Sequence, residues 1–201
     1  MKQYSIDVVL LPPPEITAWG IELNKTLQVP GKQKIVLDAE ACLPHISLFM
    51  GCVSQDSLSQ VQNILREIAS SAQVLPLTSA ESYVATLPTK EQVTMLRITT
   101  TPALQSLHER IVQALTPLSE VATLDSLCTP PPVSEITLTW VNGFIKHSSY
   151  QHFSPHITLG LGELPTPVTT SRSFGATTLA LCHLGSYCTC RAVLWETTLV
   201  E

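Results

Sequence analysis

The sequence predicts an α+β fold built mainly on antiparallel sheet. Three observations carry that prediction. Alternating apolar segments interleave with segments of helical period, and adjacent strand pairs are joined by short turns. The third is a short motif, PHISL at 44–48 and PHITL at 155–159, written once in each half of the chain.

Each element has its own signal. YSIDVVLL at 4–11 alternates Tyr4, Ile6, Val8 and Leu10 on one face and reads as a strand. Pro12 to Pro14 end it and open a helix, on which Ile16, Trp19, Leu23 and Leu27 recur at helical spacing. Ser54 is placed to cap a second helix with Leu58, Val61, Leu65 and Ile68 on its buried stripe. Extended segments at 73–87 and 92–100 turn through LPTKEQ as a hairpin. Thr101 and Pro102 start a third helix, with Leu104, Leu107, Ile111 and Leu115 inward. The proline-rich stretch 118–133 is expected as a linker or mobile loop. Ser134 is then expected to cap a helix carrying Ile136, Trp140, Val141, Phe144 and Ile145. After the second motif, 163–175 reads as a loop, and strands at 176–184 and 189–200 turn through LGSY.

Composition limits what such a chain can do. With 44% apolar residues in 201, it can bury a core, as one domain or as two small lobes. No apolar run approaches the roughly 18–20 residues of a membrane helix. The N-terminal segment holds Asp7 and three prolines and does not read as a signal peptide, so the expected address is cytoplasmic and no membrane partner is expected. Most of the six cysteines are then expected as reduced packing residues. Cys188 and Cys190 lack the second pair that a four-ligand zinc site requires, so no metal and no cofactor are expected. A net charge of −5 argues against long nucleic acid, which is held by many Lys and Arg contacts to phosphates. A small anionic ligand needs only a few local donors.

The motif supplies such donors. Successive strand side chains point to opposite faces and advance about 3.3 Å. His45 and Ser47 therefore share one face against Ile46 and Leu48, and His156 and Thr158 share one against Ile157 and Leu159. Two such strands beside a cleft present two imidazoles and two hydroxyls with approximate two-fold symmetry. Phosphodiester cleavage needs a base for the nucleophile and an acid for the leaving oxygen, and imidazole serves both near neutrality. Hydroxyls donate to the non-bridging oxygens. One such motif is an ordinary buried strand with a satisfied histidine. Two repeating a polar face make a poor core.

The paired H-x-(S/T)-Φ segments, Φ being apolar, resemble the signatures of the 2H phosphoesterase superfamily, which includes 2′-5′ RNA ligase-like proteins and cyclic nucleotide phosphodiesterases. The N-terminal strand entering a proline-bounded helix, the 111 positions from His45 to His156 and the chain length resemble that family's layout. The resemblance implies a single bilobal domain over 1–201. Its two pseudo-symmetric lobes would line a central cleft with mainly antiparallel sheets, one motif strand each, with helices outside. It implies hydrolysis of 2′,3′-cyclic phosphates on nucleotides or short RNA ends, commonly leaving a 2′-phosphate, in a protein expected as a monomer. Carried over, His45 and His156 become the acid–base pair and Ser47 and Thr158 the phosphate anchors, with His156 inclined toward activating water. A 2′-5′ phosphodiesterase, ligase or cyclic-oligonucleotide hydrolase with the same site is the alternative, and a non-catalytic nucleotide-binding module the third reading. Phe49, Phe153 and His183 are candidate substrate contacts. Arg66, Arg97 and Arg191 are candidate supplements to phosphate binding, while His108, His147 and His152 read as surface or loop residues.

Overall fold

The alternation in the first strand sorts its side chains between two environments. In β1 (Gln3–Leu11), Ile6, Val8 and Leu10 enter the main core, while Ser5, Asp7 and Val9 take the other face. The computed structural model describes residues 2–29, 31–128 and 133–200. Four helices follow the caps and stripes of the sequence: α1 (Pro14–Thr26), α2 (Leu58–Ala69), α3 (Pro102–Leu115) and α4 (Ile136–His147). Thr101 accepts from the Leu104 N–H at 3.2 Å, as a first-turn cap should. Ser54 caps a short 3₁₀ turn, Gln55–Ser57, that leads into α2. Ser134 does not cap α4; its N–H donates to Ser186 Oγ instead.

The remaining strands are β2 (Ile46–Ser54), β3 (Leu75–Thr86), β4 (Gln92–Ile98), β5 (His156–Leu161), β6 (Arg172–Ala176), β7 (Thr178–Leu184) and β8 (Cys190–Thr198). All of β6 except Ala176 lies inside the segment read as a loop. It forms because β3 offers it a free edge along Leu75–Ser79. Of the expected linker, 129–132 lie outside the described residues. Its earlier part is packed, with Ser126 Oγ 2.6 Å from Ser5 Oγ. Cys182 and Cys190 form a disulfide across β7 and β8, an exception to the expectation that most of the cysteines are reduced. Cys42, Cys52, Cys128 and Cys188 are free.

The strands form one eight-stranded sheet in the order β6-β3-β4-β5-β2-β1-β7-β8, every named pairing antiparallel. This replaces the two separate sheets expected from the family resemblance. The two motif strands are its central neighbours, joined at the register pair Ile46↔Ile157. Each four-stranded half thus ends inward on one motif.

Both motif strands carry a bulge at the same place. On β2 the register passes from Ser47, opposite Val9, to Phe49, opposite Val8, and leaves Leu48 without a partner. On β5 it passes from Thr158, opposite Met95, to Gly160, opposite Thr94, and leaves Leu159 unpaired. A bulge withdraws a backbone group from the ladder, and a buried carbonyl left alone costs about 1–3 kcal/mol. Each leucine carbonyl is answered by a side chain from a helix. His108 Nδ1 on α3 donates to Leu48 O at 2.7 Å, and Asn24 Nδ2 on α1 donates to Leu159 O at 2.6 Å. Asn24 also donates to Ile35 O at 2.9 Å and accepts from the Leu37 N–H at 3.1 Å. Its duties explain why the buried stripe of α1 runs through Ile16, Gly20 and Asn24, while Trp19 and Leu23 are only partly buried. Gly160 has φ +144°, and a Cβ there would stand 2.7 Å from Asn24 Nδ2. Only glycine admits both that backbone and that contact.

Replacing Asn24 with alanine removes the partners of three buried backbone groups at once. We expect a loss of about 2–4 kcal/mol in urea unfolding. A loss below about 1 kcal/mol would show that the second bulge is held by something else.

Candidate active site

The register pair Ile46↔Ile157 sets how the motif side chains face one another. In that antiparallel register His45 is level with Thr158, and Ser47 with His156. All four line one cavity of about 400 Å³. Its remaining walls are mostly apolar and aromatic: Tyr83, Val93 and Met95 come from β3 and β4, Trp140 and Phe144 from α4, and Phe153 from the segment before β5.

The two imidazoles are held in the same way. His45 Nδ1 donates to Leu43 O at 2.7 Å, and His156 Nδ1 donates to Ser154 O at 2.8 Å, each two residues back. A carbonyl only accepts, so Nδ1 keeps its hydrogen and Nε2 becomes the nitrogen that gains and loses a proton. Burial is the largest influence on both rings and pushes both toward the neutral form. His156's charge lowers His45 further, so the rings sense one another. Arg97, paired in register with His156, lowers that ring in turn.

One residue of this site went unread in the sequence. Asp7 is fully buried on β1, its Oδ2 is 2.6 Å from Ser47 Oγ and 3.6 Å from His45 Nε2, and its Oδ1 has no hydrogen-bond partner among the described residues. Burial, the largest influence, raises its carboxyl well above the usual range, and the hydrogen bond with Ser47 pulls the other way. The signal was a lone carboxylate within an apolar strand, a costly placement that asks for a reason.

The other candidates divide. Phe153 lines the cavity, its ring stacked on His108 at 3.9 Å. Phe49 does not. The bulge at Leu48 turns it into the main core, edge-on to Phe144 at 6.2 Å, and Met50 takes the cavity wall. His183 also lies elsewhere: its Nε2 donates to Ser126 O at 2.9 Å and its ring packs on Tyr4. His108, read as a surface or loop residue, is fully buried and bridges Leu48 O to the Tyr150 N–H. His152, also read so, is exposed and contributes to the cavity wall. Arg66 lies over Trp195, and Arg97 pairs with Glu81 at 2.9 Å and lies over Tyr83. Arg191 acts on Asp38 and Cys42. No helix among the described residues is long and apolar enough to cross a membrane.

A family model for the 2′-5′ RNA ligase superfamily matches residues 12–176. No curated protein matches the chain in sequence. Among solved structures, TT0787 of Thermus thermophilus superposes with a TM-score of 0.64 at 15% identity, covering 97% of both chains. Escherichia coli LigT complexed with 3′-AMP gives 0.61 at 17% identity, and a protein described as a phosphoesterase gives 0.60 at 16%, each covering 100% of both chains. At these identities the likeness shows the fold, an α+β architecture on an antiparallel sheet.

The imidazoles packed against the core also govern stability. His45, His108, His156 and His183 all titrate below their ordinary value in the folded chain. The unfolded state therefore binds more protons near pH 6.5, and their contribution is full above that pH and lost as pH falls through it. Asp7, raised, opposes this as a single group. We expect the melting temperature to fall between about pH 7.5 and about pH 5.5. An unchanged or higher value at the lower pH would mean that the rings are not held neutral.

Proposed function

The chain belongs to the 2′-5′ RNA ligase superfamily, and on that premise we propose that it is a phosphodiesterase for 2′,3′-cyclic phosphates of nucleotides or short RNA ends, whose proton transfers run between His45 and His156 without a metal. One observation carries the proposal: the motif strands are sheet neighbours in a register that sets each imidazole level with the other motif's hydroxyl on one cavity wall. Attacking and leaving oxygens lie on opposite sides of phosphorus, and this arrangement offers a histidine to each.

In the reaction proposed, neutral His156 takes a proton from water at Nε2 as the water oxygen bonds to phosphorus. The bond from phosphorus to the 3′-oxygen breaks, and the imidazolium of His45 protonates that oxygen, leaving a 2′-phosphate. The assignment follows Arg97, whose fixed charge beside His156 disfavours an imidazolium there. Ser47 and Thr158 donate to the non-bridging oxygens, where charge develops. Phe153, braced by His108, and the other aromatic residues of the cavity wall offer faces on which a base stacks. LigT, whose structure contains 3′-AMP, supports a nucleotide as the ligand class.

His45→Ala and His156→Ala are each expected to lower kcat at least about a hundredfold on the best of a panel of 2′,3′-cyclic nucleotides and 2′-5′ dinucleotides. Ser47→Ala and Thr158→Ala should cost less, since proton transfer survives. Near-full activity in either histidine variant would sink the paired assignment.

Turnover is expected to survive EDTA, and kcat/KM to follow a bell-shaped pH profile. Because both free-enzyme imidazoles are lowered, the bell should centre below about pH 6.5. Loss on chelation with recovery in zinc or manganese would replace the histidine pair by metal-activated water.

A further inference from the structure

Asp7 stands where charge is hardest to hold. Its side chain is fully buried, Oδ1 is unpartnered among the described residues, and its ion-pair contact there is with His45 alone, at 3.6 Å. In the free protein that partner is weak, because burial holds His45 toward its neutral form. The groups around the carboxyl are His45 just before β2, Ser47 on β2, the free Cys188 thiol from the turn after β7, and Cys182, opposite it in register and tied to Cys190 on β8. The Cys188 thiol is pushed up chiefly by burial, so it too stays uncharged.

The contact with Ser47 is short, 2.6 Å between oxygens, and a serine hydroxyl has one hydrogen. An ionised Asp7 only accepts. It would take that hydrogen and leave Ser47 presenting lone pairs to an anionic phosphate. A protonated Asp7 can donate, which frees the serine hydrogen for the cavity.

We propose that Asp7 is a positioning residue that works as a neutral carboxylic acid: its O–H donates to Ser47 Oγ and thereby turns the serine's own hydrogen toward the substrate phosphate. The role assigned to the phosphate rests on the phosphodiesterase reading; the protonated state does not. A bound phosphate reinforces that state, because a like charge disfavours ionisation of the carboxyl. Asp7 acts through Ser47, since its 3.6 Å approach to His45 Nε2 is longer than a hydrogen bond.

The test combines kinetics with a readout independent of substrate. Asp7→Ala should lower kcat/KM by the same factor as Ser47→Ala, about ten- to a hundredfold, and should add less than about twofold in a Ser47→Ala background. Asp7→Asn, whose amide N–H can donate to Ser47 Oγ, should recover most of the activity that Asp7→Ala loses. An asparagine variant as poor as the alanine, or losses that multiply in the double variant, would overturn the proposal, because either needs a charged carboxylate or a separate role. The infrared difference spectrum of the wild type minus Asp7→Asn near pH 7 should contain the carbonyl band of a protonated carboxyl. Lack of that band overturns the neutral acid whatever the kinetics show. A band without turnover of any phosphodiester in the panel would instead overturn the substrate reading and leave the neutral acid standing.

Discussion

Two leucine carbonyls hold the rest of the site in place. The bulges at Leu48 and Leu159 end the regular alternation of each motif strand just past its hydroxyl residue, and each freed carbonyl is bound by a buried side chain. Those two hydrogen bonds fasten α3 to one half of the sheet and α1 to the other. They also fix what each strand shows to the cavity, since the residue after a bulge changes face. On β2 this sends Phe49 into the core and gives its place to Met50; on β5 it brings in Gly160, where α1 can approach. His108 extends the same connection to the Tyr150 N–H and the Phe153 ring, so one buried imidazole braces both a motif and a wall of the cavity.

The electrostatic character of the site follows from its walls. Apolar side chains enclose the polar residues, and every ionisable group of the site with a resolved shift is driven toward neutrality: both motif histidines, Asp7, Tyr83 and Cys188. In such surroundings a proton or an anion changes the local field far more than it would in water. An arriving monoanion then supplies the counter-charge that one imidazole needs to become protonated. Arg97 breaks the symmetry between the two rings from outside the cavity, its own charge shared with Glu81.

The sequence was most legible where structure is decided locally. Thr101 capping α3, the stripe of α2, the hairpin of β3 and β4, and the shared face of each His and hydroxyl all depend on residues a few positions apart. It was least legible where a distant partner decides. The bulge that turned Phe49 away is held by His108 from 60 residues further on, and Leu159 is held by Asn24 across 135. β6 exists because β3 has a free edge, which no feature of 172–176 announces. The bond between Cys182 and Cys190 depends likewise on the pairing of β7 with β8. Asp7 was visible as a charge inside an apolar strand, but its meaning waited on Ser47 being brought within 2.6 Å.

The central pair Ile46↔Ile157 places the two motifs about a local two-fold axis. Under the proposed mechanism this has a thermodynamic corollary. Microscopic reversibility requires the return path to pass through the same transition state with acid and base exchanged, and a two-fold site already holds an equivalent group at each position. Reversal therefore asks for a relocated proton and no rebuilt scaffold. Whether phosphorus is released to water or joined to another alcohol then depends on which hydroxyl occupies the in-line position. Hydrolysis and ligation become two fates of one phosphoryl group, decided by the acceptor that arrives.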